Sequence, residues 1–163
     1  MSDQMTIRRM RRTDIPAIVA IEEETFPHPW KQDAFESELD RNPSARYLVL
    51  LDGQQLVAYG GAWVILDEAH MTNIAVQESY RGKGCGRRLL HALMAYLSNL
   101  GVAYVTLEVR KSNLAAQKLY ASHGFIKLGV RKRYYEDNHE DALIMVCDKM
   151  PPVDPEFDEN HYA

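Results

Sequence analysis

The sequence has little of what several classes of protein require. Only two of its 163 residues are cysteines, Cys85 and Cys147, which are too few for a disulfide framework and do not have the spacing of metal ligands. No apolar run of the kind that a secretion signal needs follows the arginine-rich segment at residues 8–12. We therefore expect a cytoplasmic protein that is not exported and does not enter a membrane.

Positive charge is not in excess either. Lysine and arginine number 19 against 23 acidic residues, and the resulting net charge of −4 argues against general binding to nucleic acid or anionic lipid. Six histidines are present, but no pair has ligand spacing with a third ligand nearby, so no metal site is predicted. With 46% apolar residues, a chain of this length fits one globular domain with a substantial core.

What the sequence does have is a glycine-rich segment between a strand-like stretch, Asn73–Val76, and an amphipathic helix. Unpaired N–H groups and the helix dipole favour an anion at such a helix start. We interpret the segment as a pyrophosphate cradle, with a plain glycine-rich turn as the alternative. It reads Arg81-Gly82-Lys83-Gly84-Cys85-Gly86-Arg87-Arg88.

The spacing of this segment distinguishes it from other phosphate-binding loops. It runs Arg81-x-x-Gly84-x-Gly86, which is neither Gly-x-Gly-x-x-Gly nor a loop closed by Gly-Lys-Ser/Thr. The pattern resembles the acetyl-CoA loop of the GNAT acetyltransferases, Gln/Arg-x-x-Gly-x-Gly/Ala. That resemblance implies acetyl-CoA as the cosubstrate.

Hydrophobic periodicity predicts an α/β protein. An antiparallel hairpin layer over residues 47–66 leads into alternating strands and helices, which indicates a mixed antiparallel and parallel central sheet flanked by helices. We expect a single GNAT-fold domain over residues 4–149. The acidic, proline-containing segment 150–163 is expected to be a flexible tail, with docking through Phe157 as the alternative.

Glu108 is the candidate general base, since it lies near the end of a predicted strand, 104–110, that should run parallel to the strand before the loop. Acyl transfer from a thioester to an amine needs the neutral amine, and a free α-amine has a pKa of about 7.7–8.0 against about 10.4 for lysine. A carboxylate that takes this proton removes the obstacle. The alternative is that Glu108 pairs with Arg110 or caps the sheet edge.

Tyr120 is the candidate general acid. It shares one stripe of the last predicted helix with Asn113 and Gln117, at spacings i, i+4 and i+7. A phenol with a reference pKa near 10 is suited to donating a proton to a departing thiolate. The alternative, compatible with the first, is that its ring packs with Leu119 against the sheet.

The resemblance is tighter to the RimI-type ribosomal-protein-alanine N-acetyltransferases and covers roughly residues 4–148. It rests on the run from Glu108-Val109-Arg110 through Ser112-Asn113 to Leu119-Tyr120. It also rests on Tyr134-Tyr135 followed by Asp141-Ala142-Leu143-Ile144-Met145, and on the proline-tryptophan break at 26–30. This sequence has Gly82 where the family often has Arg, and Cys85 where an aliphatic residue is usual. These departures bear on the expected affinity for CoA and not on the assignment to the family.

Carried onto this sequence, the resemblance implies direct transfer, with Glu108 as proton acceptor and Tyr120 as proton donor. An acyl-enzyme has no suitable nucleophile, since Cys85 lies in the loop and Cys147 in a closing strand. The resemblance further implies that cosubstrate contacts are made by backbone groups along the pantetheine, by the loop around the pyrophosphate and by one side chain near the thioester. These are, respectively, Ile74, Ala75 and Val76; Arg81, Gly82, Lys83, Gly84, Cys85, Gly86, Arg87 and Arg88; and Asn113.

The expected function is acetyl-CoA-dependent N-acetylation of a protein N-terminal α-amine. By resemblance, the target is the N-terminal alanine of the eighteenth small-subunit ribosomal protein. A small-molecule amine acetyltransferase (polyamine, amino acid or drug) and a non-catalytic acyl-CoA-binding module remain alternatives. The segment Arg131–Arg133 beside Tyr134-Tyr135 is either a solvated face or a wall of a peptide site. Neither nucleic acid nor membrane is an expected partner, and the oligomeric state is not readable.

Overall fold

The computed structural model describes residues 4–162, and within that range it contains a seven-stranded sheet and four α-helices. The strands are β1 (Met5–Arg9), β2 (Ala45–Asp52), β3 (Gln55–Ile65), β4 (Glu68–Val76), β5 (Tyr104–Arg110), β6 (Ile126–Arg131) and β7 (Ala142–Cys147). The helices are α1 (Ile15–Thr25), α2 (Gln32–Arg41), α3 (Cys85–Asn99) and α4 (Leu114–Ala121). Three short 3-10 turns lie at Arg12–Asp14, Glu78–Tyr80 and Glu159–Tyr162.

The sheet has the order β1-β2-β3-β4-β5-β7-β6. Among the described strands, β4 and β5 form the one parallel pair, and every other neighbouring pair is antiparallel. The predicted mixed sheet of the α/β class is therefore confirmed. The insertion of β7 between β5 and β6 was not predicted, because apolar alternation identifies a strand without saying which edge it joins.

The helices cover both faces of the sheet. On one face, α1 and α2 bury Ile18 and Phe35 against strand residues such as Tyr59. On the other face, α3 buries a leucine stripe that includes Leu89 and Leu93, as its periodicity predicted. Burial of each such side chain contributes about 1.5–3 kcal/mol to folding, so these two helix faces hold the sheet in the shape that forms the site.

An irregularity in β3 and β4 lies where the sequence has two adjacent glycines. The register between the strands shifts between Gly61 and Ala62, so that Thr72 on β4 is the extra residue of a bulge. A Cβ on Gly61 would lie 2.1 Å from the Tyr47 ring, which explains the glycine at this position. The adjacent glycines therefore lie where the β3–β4 pairing is interrupted.

The parallel strands β4 and β5 separate towards their carboxyl ends. Their pairing runs from Glu68 opposite Tyr104 to His70 opposite Thr106 and includes no later residue. A gap therefore opens between residues 73–76 of β4 and 107–110 of β5. Open α/β sheets bind ligands in such a crevice at the carboxyl ends of parallel strands.

The C-terminal segment packs on α3 and on the β1 edge. Tyr96 of α3 stacks on Tyr162 with ring centroids 5.1 Å apart and lies 6.0 Å from the Phe157 ring. Glu159 accepts a hydrogen bond from the Tyr96 hydroxyl at 2.7 Å and pairs with Arg9 at 3.4 Å. These contacts favour the docking alternative over a flexible tail, because aromatic anchors offset the ordering of an otherwise polar segment.

Candidate active site

A cavity of about 510 Å³ fills the gap between β4 and β5, and we call it the gap cavity. The amino ends of α3 and α4 and the carboxyl ends of both strands form its walls. Most of the residues that the sequence predicted for a cofactor or for catalysis line it. These are Ile74, Ala75, Val76, Arg81, Gly82, Gly84, Cys85, Gly86, Arg87, Glu108, Asn113 and Tyr120.

The glycine-rich loop has the geometry of an anion cradle. Gly82 and Gly84 have φ of +74° and +83°, which is left-handed backbone that disfavours other residues. Gly84 is the residue before α3, so the unpaired N–H groups of the first helical turn, 85–87, lie beside the gap cavity. The N-terminal partial charge of the helix dipole adds to the attraction of a phosphate.

Two predicted loop residues do not line the gap cavity. The ammonium of Lys83 lies over the Tyr80 ring, 5.4 Å from its centroid. The guanidinium of Arg88 donates to the Met5 carbonyl at 3.4 Å, towards β1. Successive residues of a helix point in directions about 100° apart, so the positive side chains of this segment cannot all face one ligand.

The free edge of β4 presents two residues to the gap. The N–H of Gln77 donates to the carbonyl of Val57 on β3. Because backbone N–H and C=O groups point to alternate sides along a strand, those of Ala75 also point towards β3. Those of Ile74 and Val76 point towards the gap. The Val76 carbonyl already accepts a bond from Arg81 Nε at 3.0 Å. Arg81 therefore ties the loop to the strand as well as lining the cavity.

Glu108 lies on β5 with two cationic or ionisable partners. His70 Nε2 lies 3.0 Å from its Oε2, and Arg131 Nε lies 3.3 Å from its Oε1. Its side chain is 14% exposed, so the carboxylate stays in contact with the cavity while these neighbours fix its position. Glu108 does not form the alternative ion pair with Arg110, because the Arg110 guanidinium pairs with Asp137 at 3.1 Å.

Tyr120 fits both interpretations of its role. Its ring packs 5.6 Å from that of Phe125, centroid to centroid, and the residue is 7% exposed. It also lines the gap cavity. Burial raises the pKa of Tyr120 above its usual value, so the phenol keeps its proton at neutral pH and remains a proton donor.

Asn113 has a structural task in addition to its position in the cavity wall. Its Oδ1 accepts the Ala116 N–H at 3.1 Å, which caps the N-terminus of α4. The cap fixes the side chain at the mouth of the gap cavity, and Gln117 on the same stripe donates to the Arg110 carbonyl at 3.1 Å. Together these bonds hold the start of α4 against the end of β5.

A second cavity, of about 920 Å³, adjoins the first, and we call it the loop cavity. One wall is the α1–α2 connection with Phe26 and Trp30, and the opposite wall is the β6–β7 connection with Tyr134 and Tyr135. This placement favours the wall of a binding site over a solvated face for the tyrosine pair. The two cavities join at four residues that line both, Thr25, Phe26, Asn73 and Asn113.

Glu22 is a residue of this site that the sequence analysis missed. It lies in α1 at 1% exposure, lines the loop cavity and accepts the Trp30 N–H at 3.0 Å. Burial raises the pKa of Glu22 to about 7. The available signal was its position, since Glu22 follows Ile18 by four residues and therefore falls on the apolar stripe of a helix, where a carboxylate is unusual.

The two thiols are poorly suited to carry an acyl group. Cys85 and Cys147 are free and buried, and burial raises the pKa of both. A protonated thiol is a weak nucleophile. This agrees with the expectation of direct transfer.

The described part of the chain contains neither a cluster of metal ligands nor a helix suited to crossing a membrane. Among the side chains that the structure describes, no group of three or more His, Cys, Asp or Glu residues is arranged to hold a metal ion. None of the described helices combines the length and apolar character needed to cross a bilayer.

Sequence comparison finds one family and a set of close relatives. The pattern of the acetyltransferase (GNAT) family matches residues 15–125. A putative [ribosomal protein bS18]-alanine N-acetyltransferase from Bacillus subtilis is 41% identical over 145 residues, which is 89% of this chain and 96% of that protein. The [ribosomal protein bS18]-alanine N-acetyltransferase of Escherichia coli K12 is 42% identical over 144 residues, 86% and 95% of the two chains.

Solved structures agree in fold. The crystal structure of the Escherichia coli ribosomal-protein-alanine N-acetyltransferase superposes with a TM-score of 0.83 at 36% identity and covers 94% of this chain and 99% of that one. A spermidine N-acetyltransferase chimera from Vibrio cholerae and hSSAT superposes with a TM-score of 0.78 at 23% identity, over 89% of this chain and 95% of that one. At that identity the second match shows the shared fold alone.

Proposed function

Because this chain belongs to the GNAT family of acetyltransferases, we propose that it acetylates the N-terminal α-amine of a protein, with ribosomal protein bS18 as the substrate. One observation carries the choice of substrate. Two relatives named for that activity share more than 40% identity with this chain over at least 95% of their own length. Family membership itself makes the chain an acetyl-CoA-dependent N-acetyltransferase rather than a non-catalytic acyl-CoA-binding module.

The gap cavity suits the cosubstrate. Its loop offers unpaired N–H groups at the start of α3 and a guanidinium from Arg87, which fit the charge of a pyrophosphate. The edge of β4 offers the backbone groups of Ile74, which suit the amide groups of a pantetheine arm. Bound there, acetyl-CoA supplies the acetyl group as a thioester, and we propose that Asn113 lies near that end.

Glu108 and Tyr120 are the proposed proton carriers. Glu108 takes a proton from the acceptor's ammonium, directly or through water, which leaves a neutral amine able to attack. Tyr120, protonated in its buried position, donates to the sulfur as the thiol leaves. Both residues line the gap cavity, so the acid and the base have access to the same reacting centre.

The acceptor is proposed to enter through the loop cavity. This cavity joins the gap cavity at Asn73 and Asn113, so a chain end placed between Trp30 and Tyr134 has a route to Glu108. An opening with two aromatic walls is suited to a peptide. We place the reaction in the cytoplasm, since the proposed substrate is a ribosomal protein and both cysteines are free thiols.

Acetylation of defined acceptors tests the proposal. Purified protein is incubated with acetyl-CoA and three acceptors: a peptide with a free alanine N-terminus, the same peptide with that end blocked and an internal lysine free, and spermidine. We expect a gain of about 42 Da, the mass of an acetyl group, on the free N-terminus alone. Acetylation of spermidine alone would instead assign the chain to the small-molecule class.

The variant Glu108→Gln tests the mechanism in the same assay. We expect kcat/KM to fall about 10²–10⁴-fold, the usual contribution of general acid–base catalysis, with unchanged binding of acetyl-CoA. The matched control is Glu38→Gln, a buried carboxylate of α2 that accepts a bond from Trp63 Nε1 at 2.9 Å and lines neither the gap nor the loop cavity. Full activity in Glu108→Gln would contradict the assignment of the base.

A further inference from the structure

Glu22 is a buried carboxylate to which the structure gives no cation. The Trp30 N–H donates to Oε1 at 3.0 Å, and Asn73 Nδ2 donates to Oε2 at 3.3 Å. Among the ion pairs formed within residues 4–162, none includes Glu22. Removing a carboxylate from water without a positive partner costs folding free energy. A ligand that brings positive charge would recover part of that cost.

Glu22 lies on the side of the loop cavity that adjoins the gap cavity. Glu22 lines the loop cavity, its partner Asn73 lines both cavities, and Glu108 lines the gap cavity. Asn73 is thus one of the four residues at which the two cavities meet, and Glu22 is hydrogen-bonded to it there.

The two side chains have hydrogen-bonding capacity left for a cation. Each oxygen of a carboxylate accepts more than one bond, and an ammonium has three N–H donors. Asn73 uses its NH₂ group towards Glu22, which leaves its own Oδ1 as a further acceptor. A carboxylate and an amide oxygen at one point of a cavity match the chemistry of a primary ammonium.

We propose that Glu22, with Asn73, binds the ammonium form of the acceptor amine in the loop cavity and delivers it to Glu108. This inference rests on the proposed function, since it takes an amine as the acceptor. It assigns Glu22 to recognition of the acceptor, whereas removal of the proton remains with Glu108. Burial raises the pKa of Glu22 to about 7, and a bound ammonium favours the ionised form, so acceptor binding and ionisation of Glu22 reinforce each other.

A paired-ligand binding experiment tests this role. Protein saturated with CoA, which has no acetyl group to transfer, is titrated with two lysine-free peptides in a calorimeter. One begins with alanine, and the other begins with a propionyl group, which replaces the α-amine by hydrogen. We expect the wild-type protein to bind the amine at least about tenfold more tightly, and Glu22→Gln to bind the two peptides within about twofold of each other.

The variant is chosen to keep the fold. A glutamine at this position accepts the Trp30 N–H through its oxygen, and its NH₂ group meets Asn73 Oδ1 after rotation of the asparagine amide. Glu38→Gln is the matched control, because Glu38 is also buried and also accepts bonds from a tryptophan N–H and an asparagine amide. It should keep the wild-type ratio of affinities.

Two results would overturn the inference. If Glu22→Gln keeps the wild-type preference for the amine, Glu22 does not sense the charge. A purely structural role of Glu22 predicts this result, because its substitution would weaken the binding of both peptides by the same factor. If the wild-type protein itself shows no preference, no ammonium site exists, although acetylation of the peptide would still support the proposed function. Conversely, a preference that depends on Glu22, without acetylation of the peptide, would overturn the proposed substrate and leave the ammonium site standing.

Discussion

The chemical behaviour of single residues in this site depends on their partners more than on their residue type. Glu22 and Glu108 are both carboxylates with little exposure to solvent. Glu22 lines the loop cavity, and Glu108 lines the adjoining gap cavity. Glu108 has Arg131 at 3.3 Å, whereas Glu22 has a backbone N–H and an amide. Because Glu22 is buried without a cation, its pKa is raised above the ordinary value and it holds its proton more tightly.

At this scale, Glu22 should make stability depend on pH. Its folded-state pKa of about 7 exceeds the ordinary value of 4.5, so the folded protein binds the proton more tightly than the unfolded chain. The contribution of Glu22 to the free energy of unfolding should therefore be greatest at low pH and decline as pH rises from about 4.5 to about 7. The measurement is urea denaturation of wild type and Glu22→Gln across this range.

The informative quantity is the difference between the two curves, because the other titrating groups are common to both proteins. That difference, wild type minus variant, should decrease with rising pH and level off above the folded-state pKa. A difference that stays constant or increases would show that Glu22 is not a protonated, buried acid in the folded protein.

Among the elements, α3 has a glycine with left-handed backbone at each end, one in the loop before the helix and one directly after it. Left-handed backbone occurs at Gly82 and again at Gly101, which follows the helix with φ of +94°. Gly101 ends α3 in the usual manner of a helix C-terminus. Gly82 lies in the wall of the gap cavity, so its conformation serves binding as well as chain direction.

The two glycines form a matched pair for substitution. A Cβ at Gly82 or Gly101 would meet no atom within 4 Å, so the penalty in each case comes from the backbone alone. We expect Gly82→Ala and Gly101→Ala each to lower the free energy of unfolding by about 1–2 kcal/mol. Only Gly82→Ala should also weaken acetyl-CoA binding, by about tenfold, since relief of its strain moves the loop. Denaturation and calorimetric titration measure the two effects, and equal loss of binding in both variants would refute the distinction.

For the whole molecule, the C-terminal segment links α3 to the β1–β2 edge of the sheet. Glu159 pairs with Arg9 of β1 and Arg46 of β2, both at 3.4 Å, while Phe157 and Tyr162 cover Tyr96 of α3. Residues 151–160 and Tyr162, the described side chains of this segment, are absent from the lining of the gap and loop cavities. The segment therefore acts on stability and is not part of the site.

Substitution of Phe157 tests this assignment. We expect Phe157→Ala to lower the free energy of unfolding by about 1–3 kcal/mol, less than a fully buried phenylalanine because Phe157 is partly exposed. Val153→Ala, at a side chain that is 63% exposed, should change it by less than about 0.5 kcal/mol. Both variants should keep kcat with saturating acetyl-CoA and peptide. A Phe157→Ala protein as stable as wild type would indicate that the tail is free in solution, as composition suggested.

Local patterns account for the part of this protein that the sequence predicted correctly. The amphipathic face of α3, the strand β5 and the stripe of Asn113, Gln117 and Tyr120 at α4 each depend on residues within a few positions of one another. Because periodicity determines which face of an element is buried, these patterns also place Glu108 at a strand end and Tyr120 on its helix stripe.

Tertiary structure alone decided which distant residues meet. His70 and Arg131 reach Glu108 from β4 and β6, Lys83 turns away from the cavity that its neighbours line, and Glu22 joins Asn73 across 51 positions of sequence. Such contacts depend on strand order, register and the separation of β4 from β5, none of which leaves a periodic trace in the chain. The sequence by itself determined the elements and the loop chemistry, and packing determined the partners, because a side chain's neighbours across the fold are fixed only when the sheet closes.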